Sequence, residues 1–187
     1  MRKQLIFWFV FLSLFLYGCT VQLETKTAET KVDTNGPKPL VTGLKVGNLA
    51  PDFTLTTIDS EEVKLSSFSG GNRPVLVYFF ATWCPFCAKD FSTLSNVYFS
   101  YEEDIPVVAS SLDLDEDVEI LTAYKNNYPA LEKVMFTLGK ESVLRDYNVR
   151  YTTTKYAIGR NGYILYAGSG PLTENQWVIL LDLLKNS

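Results

Sequence analysis

Apolar and polar positions divide the chain into three stretches. Leu5 to Leu16 is apolar throughout except for Ser13, whereas Thr20 to Gly43 is rich in Thr, Lys and Glu, carries Pro37 and Pro39, and shows no period. From about Leu44 onward apolar residues return at recognisable spacings. Phe53 to Thr57 alternates, Ile58-Asp59-Ser60-Glu61 is turn-like, and Val63 to Leu65 is apolar again, which predicts a small β-hairpin. Val75 to Phe80 is an unbroken apolar run, as expected of a strand buried on both faces. Between Cys84 and about Glu102, Phe91, Leu94, Tyr98 and Tyr101 recur on one face of a helix. Ile105 to Leu112 predicts another strand. A helix then starts near Asp113, Asp115, Glu116 and Asp117, where acids favour the dipole, and runs to about Tyr124. A short strand over Val134 to Leu138 and a short helix over Glu141 to Tyr147 follow. Tyr156 to Ile158 and Tyr163 to Ala167 flank Arg160-Asn161-Gly162, a hairpin turn signal, and Thr173 with Gln176 caps a last helix through Leu184. Strand–helix alternation implies parallel pairing in the middle and antiparallel strands at the end. The expected architecture is α/β: a mixed central sheet flanked by helices, with an N-terminal β-hairpin extension.

The first stretch is too short to span a bilayer. A dozen helical residues rise about 18 Å, against a hydrocarbon core of about 30 Å. With Arg2 and Lys3 before it, the stretch reads as a signal-peptide core. It ends at Leu16-Tyr17-Gly18-Cys19, which resembles a bacterial lipobox. That resemblance implies cleavage before Cys19 and lipid attachment to its sulfur. Residues 1–18 are then signal peptide, 19–43 a flexible lipid-anchored tether and 44–187 the folded domain.

Composition narrows the chemistry. The chain has 187 residues, 47% hydrophobic and 20% charged, enough for one domain with a full core. The net charge is -4, becoming about -6 without Arg2 and Lys3, so nucleic acid is not an expected partner. There is no histidine. This excludes Ser-His-Asp and Cys-His catalysis and His-ligated metal sites. Three cysteines are too few for a four-thiolate metal centre or a disulfide-stapled scaffold. No metal and no cofactor are expected.

The remaining chemistry lies at Trp83-Cys84-Pro85-Phe86-Cys87, between a strand and a helix. A Cys-x-x-Cys in that setting reads as a redox pair. Unpaired N–H groups and the helix dipole favour a thiolate at Cys84. Pro85 suits the first helical position, where its missing N–H is harmless. Cys87, one turn further in, is expected to be recessed and to resolve a mixed disulfide.

These residues resemble the TlpA/ResA-like thioredoxin-fold proteins of the AhpC/TSA superfamily, membrane-tethered thiol–disulfide oxidoreductases of bacteria. Gly47 to Leu55, Tyr78 to Cys87 and Ala157 to Gly162 carry the resemblance. It implies a thioredoxin-like fold, Cys84 as nucleophile and Cys87 as resolving thiol. It further implies Trp83 as part of the docking surface and Asp90 as an acid that tunes the pair. Two positions depart from the pattern. Tyr78 stands where thioredoxin has a buried Asp, and Thr153 falls where the family has a cis-proline. Thr153 is therefore expected to face the cysteine pair.

The expected function is disulfide reduction in exported proteins. It would take place extracytoplasmically, on the periplasmic side of a two-membrane cell, with a membrane protein as electron donor. The alternatives are a thiol peroxidase and a redox-inert or copper-handling binding protein. Ala81 and Val77 stand where peroxiredoxins carry a hydroxyl residue and Pro, and no His is present for copper.

Overall fold

The structure is a computed structural model that describes residues 41–187. The signal segment, Cys19 and most of the expected tether lie outside the described residues. Among the described residues no helix is long and apolar enough to cross a membrane.

A five-stranded sheet organises the domain. In chain order its strands are β3 (Val75–Phe80), β4 (Val107–Ser111), β5 (Met135–Thr137), β6 (Thr154–Ile158) and β7 (Ile164–Gly168). Their spatial order is β5-β4-β3-β6-β7. β3, β4 and β5 run parallel, while β6 pairs antiparallel to both β3 and β7. The preceding β1 (Thr54–Thr56) and β2 (Glu62–Lys64) form the expected separate hairpin, with buried Leu55 opposite buried Val63. Residues after β1 reach the β5 edge, where Ile58 N donates to Phe136 O at 2.9 Å. At the other edge Ile164 N donates to Asn48 O at 2.9 Å, so the N-terminal segment covers part of both edges. The fold also begins before residue 44, because Gly43 N donates to Leu49 O and Leu49 N to Val41 O.

All six residues of β3 are buried, and their alternation feeds two cores. Leu76, Tyr78 and Phe80 face α2 (Pro85–Ser95), α3 (Val118–Lys125) and α5 (Glu174–Lys185), through Phe91, Leu94, Leu121, Trp177 and Leu181. Val75, Val77 and Phe79 face a second core with Leu65 of α1 (Leu65–Gly70) and Val143 of α4 (Glu141–Asp146). The β3–α2 junction thus lies at the carboxyl end of the central strand, where sheets of this kind place their sites.

Several boundaries differ from the periodic reading. α2 stops at Ser95, not near Glu102. Ser95-Asn96-Val97 is a run of poor helix formers, and the chain continues as a 3-10 turn over Tyr98–Ser100. Tyr98 stays in the core, donating from its hydroxyl to Ile105 O at 2.8 Å. Leu65 opens the short α1 instead of extending β2. At the last hairpin only Gly162 takes a positive φ, of 80°, following a turn closed by Gly162 N to Gly159 O. Asn161 does not take a positive φ, so the connection is wider than a two-residue hairpin. Thr173 and Gln176 form the expected capping box on α5.

Candidate active site

Cys84 is the N-cap of α2 and Pro85 its first residue. The Cys84 sulfur accepts from the Cys87 backbone N–H at 3.3 Å, which brings an unpaired donor of the first turn onto it. Both cysteines are free thiols. Cys84 keeps 3% of its surface exposed and Cys87 none, so the expected contrast in exposure is small. The electrostatic contrast is larger. Burial pushes the Cys84 thiol up, but hydrogen bonds from Thr152, Cys87 and Phe86 outweigh it and the net shift is downward. Burial pushes Cys87 up to about 11, with the Cys84 hydrogen bond adding to the rise. The first sulfur therefore ionises at a lower pH than the second.

Acidic residues after β4 hold the loop ahead of Cys84. Glu116 Oε1 accepts from Thr82 N at 2.7 Å and from Thr82 Oγ1 at 2.5 Å, while Oε2 accepts from Ser111 Oγ at 2.6 Å. Asp113 accepts from Trp83 Nε1 at 2.7 Å. The indole is otherwise 65% exposed, and Phe86 beyond it is 60% exposed. The acids expected to open α3 therefore serve two purposes. Asp117 caps that helix through Ile120 N, whereas Asp113 and Glu116 fix the redox loop. Nothing in the charge run alone distinguishes these roles, because the loop contacts form across the sheet.

The expectation that Thr153 faces the pair is corrected. Thr152 is the neighbour: the Cys84 thiol donates to Thr152 Oγ1 at 3.1 Å, and once Cys84 is a thiolate the hydroxyl turns to donate to it. Among the described residues no peptide bond is cis, and Thr153 sits at φ 62°, an unusual conformation for a β-branched side chain. Its hydroxyl is engaged elsewhere, donating to Thr152 O and accepting from Gly170 N at 2.8 Å. Three identical residues in a row gave the sequence no means to choose the register.

Asp90 is fully buried. Its Oδ1 accepts from Leu172 N at 2.9 Å and Trp177 Nε1 at 3.0 Å. Its Oδ2 accepts from the Tyr78 hydroxyl at 3.1 Å and from Lys155 Nζ at 2.5 Å. Asp90 reaches the pair through Tyr78, which shares the buried cluster around Cys87 and acts on that thiol electrostatically. Burial, then the Asp90 charge, push the Tyr78 phenol far above its ordinary range, so it remains a neutral hydroxyl. Glu116, Thr152 and Lys155 were missed by sequence reasoning. The available signal for Lys155 was its position two residues before Ala157, on the inward face of a central strand.

The sequence and the fold that carry this dithiol are similar to those of known proteins. The chain matches the AhpC/TSA family over residues 46–167. It is 29% identical over 142 residues to the thioredoxin-like protein YneN of Bacillus subtilis, covering 75% of this chain and 81% of that one. It is 26% identical over 134 residues to the thiol-disulfide oxidoreductase ResA of Bacillus thuringiensis, covering 71% and 75%. Among solved structures, a protein described as the thiol:disulfide interchange protein DsbE of Chlorobium tepidum superposes with a TM-score of 0.62 at 28% identity. That match covers 74% of this chain and 99% of the other. The chain belongs to the AhpC/TSA family and is a thioredoxin-like thiol–disulfide oxidoreductase of the ResA and DsbE kind.

Proposed function

We propose that this oxidoreductase is a lipid-anchored, extracytoplasmic reductant of disulfides in exported proteins, working through Cys84 and Cys87. The observation that carries the chemistry is the divided pair: Cys84 is biased toward the thiolate and Cys87 toward the thiol. In the proposed cycle the Cys84 thiolate attacks one sulfur of a partner disulfide. The partner's other sulfur leaves as a thiolate and is protonated. Cys87, losing its proton, then attacks Cys84 Sγ, and the partner's second sulfur departs. The partner gains two electrons and the chain retains a Cys84–Cys87 disulfide. A membrane protein carrying a dithiol would return the electrons, with no metal or organic cofactor needed.

Trp83 and Phe86 supply an exposed aromatic rim beside the nucleophile for an incoming protein chain. Pro85 fixes the first turn, and Thr152 steadies the Cys84 sulfur. The anchor rests on the Leu16 to Cys19 sequence, and the extracytoplasmic address rests on that anchor. Incorporation of labelled palmitate into the full chain in a bacterial host tests it, and label retained in Cys19→Ser would reject Cys19 as the attachment point. Equilibration of Cys84–Cys87 with glutathione tests the direction of electron flow. A reductant should lie well toward the thioredoxin end, about −270 mV, and a value above about −150 mV would make the chain an oxidant.

A further inference from the structure

Lys155 is a buried charge that the exchange cycle does not use. The register of β3 with β6 sets Lys155 opposite Tyr78. Its side chain has no exposed surface, and its ammonium lies 4.8 Å from the Tyr78 ring centroid and 5.3 Å from that of Trp177. A buried ammonium is costly unless all its donors are used. Here it has three partners: Asp90 Oδ2 at 2.5 Å, Thr153 O at 2.9 Å and Gly170 O at 2.8 Å.

Those partners lead to different cysteines. Thr153 O belongs to the loop whose Thr152 hydroxyl meets the Cys84 sulfur. That loop has a trans bond and a left-handed Thr153, held by Lys155 Nζ donating to its carbonyl and Gly170 N donating to its hydroxyl. Asp90 Oδ2 accepts from Tyr78, and Tyr78 lies in the same buried cluster as Cys87 and acts on its thiol electrostatically. We propose that Lys155 is a positioning residue that acts on both sulfurs: through the Thr152–Thr153 loop it holds the hydroxyl on Cys84, and through Asp90 and Tyr78 it keeps a proton acceptor ready for Cys87.

The proposal rests on the dithiol cycle above and adds the fate of one proton. As Cys87 attacks, its thiol proton passes to the Tyr78 oxygen while the Tyr78 proton passes to Asp90. The result is a Cys87 thiolate, a neutral Tyr78 and a protonated Asp90. The Cys84–Cys87 bond then forms and the bond from Cys84 to the partner sulfur breaks. The proton returns to Cys87 when the pair is next reduced. Lys155 matters because it is the cation paired with the buried Asp90 carboxylate that is to receive the proton. Besides the two thiols, Tyr78, Asp90 and Lys155, the titratable groups facing this network are Tyr124 toward the cysteines and Tyr166 toward Asp90. Burial raises both phenols, so they stay neutral through the cycle.

One equivalent of dithionitrobenzoate separates the two effects on the reduced full chain. Attack by Cys84 releases the first coloured thiolate, and displacement by Cys87 releases the second. Thr152→Val should raise the pH midpoint of the first phase by about half a unit or more and spare the second. Tyr78→Phe should slow the second phase about five-fold or more and spare the first. Lys155→Met should do both. Where the unpaired Asp90 prevents that variant from folding, Asp90→Asn/Lys155→Met removes both charges. It should show the first-phase shift that Asp90→Asn alone lacks. A folded Lys155→Met with both phases unchanged, or a double variant whose first phase matches Asp90→Asn, overturns the proposal. A wild-type chain that releases only one equivalent defeats the dithiol cycle itself, and this inference with it.

Discussion

The two faces of β3 are built from adjacent residues of one strand and differ in kind. On one face Phe79 packs among Leu55, Val63, Tyr147 and Tyr156. The polar atoms there are spent on backbone: Tyr147 donates to Pro51 O at 2.7 Å and Tyr156 to Tyr147 O at 2.9 Å. On the other face Tyr78 meets Cys87, Asp90 and the Lys155 ammonium. Among the described residues the buried charged side chains are Asp90, Glu116 and Lys155, and each bonds to groups around the redox pair or its loops. One face is apolar packing. The other accepts the cost of buried charge to set the protonation of two sulfurs.

The largest effect that separates the faces is catalytic. Cys84→Ala should lower dithiothreitol-driven insulin reduction by about a hundred-fold or more, since the other thiol among the described residues, Cys87, is fully buried. Next in size are paired stability effects. Phe79→Ala should cost about 3–5 kcal/mol in denaturant unfolding and leave the pH dependence of Cys84 alkylation unchanged. Asp90→Ala should cost a similar amount, about 3–5 kcal/mol, because it strands the Lys155 ammonium, but it should also slow the Cys87 step. Equal stability losses with unequal chemical effects would bear out the division. A changed alkylation profile in Phe79→Ala would break it.

A smaller effect follows from Cys87, whose pKa rises from 9.0 to about 11 on folding. The unfolded thiol ionises first, so the reduced protein keeps this contribution below pH 9.0 and loses it as pH rises toward about 11. The loss should be on the order of 2 kcal/mol in urea titrations of the reduced chain, and Cys87→Ala should flatten it. Smallest is Trp83→Phe, which removes the bond to Asp113 at an exposed site. Stability should change by less than about 1 kcal/mol, while KM for a protein disulfide rises and kcat holds.

The same contrast explains what could be read from the sequence. The apolar run of β3, the helical face of Phe91 and Leu94 and the cap at Thr173 are local patterns, and each appears where its period placed it. Cys84 and Cys87 were legible because four adjacent residues carry their geometry. Asp90 was legible as a position but not as a buried ion pair, since its partner Lys155 lies 65 residues away and meets it only through the β3–β6 register. Glu116 and Thr152 are of the same sort, long-range partners of a short motif. Helix ends were harder, as at Ser95, because side-chain propensities there differ by fractions of a kcal/mol and Tyr98 packing decides the path.

The division of the pair is tested most directly by limited alkylation. The reduced full chain would be treated with iodoacetamide across pH 5 to 10 and each cysteine followed by peptide mass spectrometry. Cys84 should react first, with a midpoint below that of an ordinary thiol, while Cys87 stays protected to about pH 10. Modification of Cys87 ahead of Cys84, or a common midpoint for both, would contradict the assignment of nucleophile and resolving thiol.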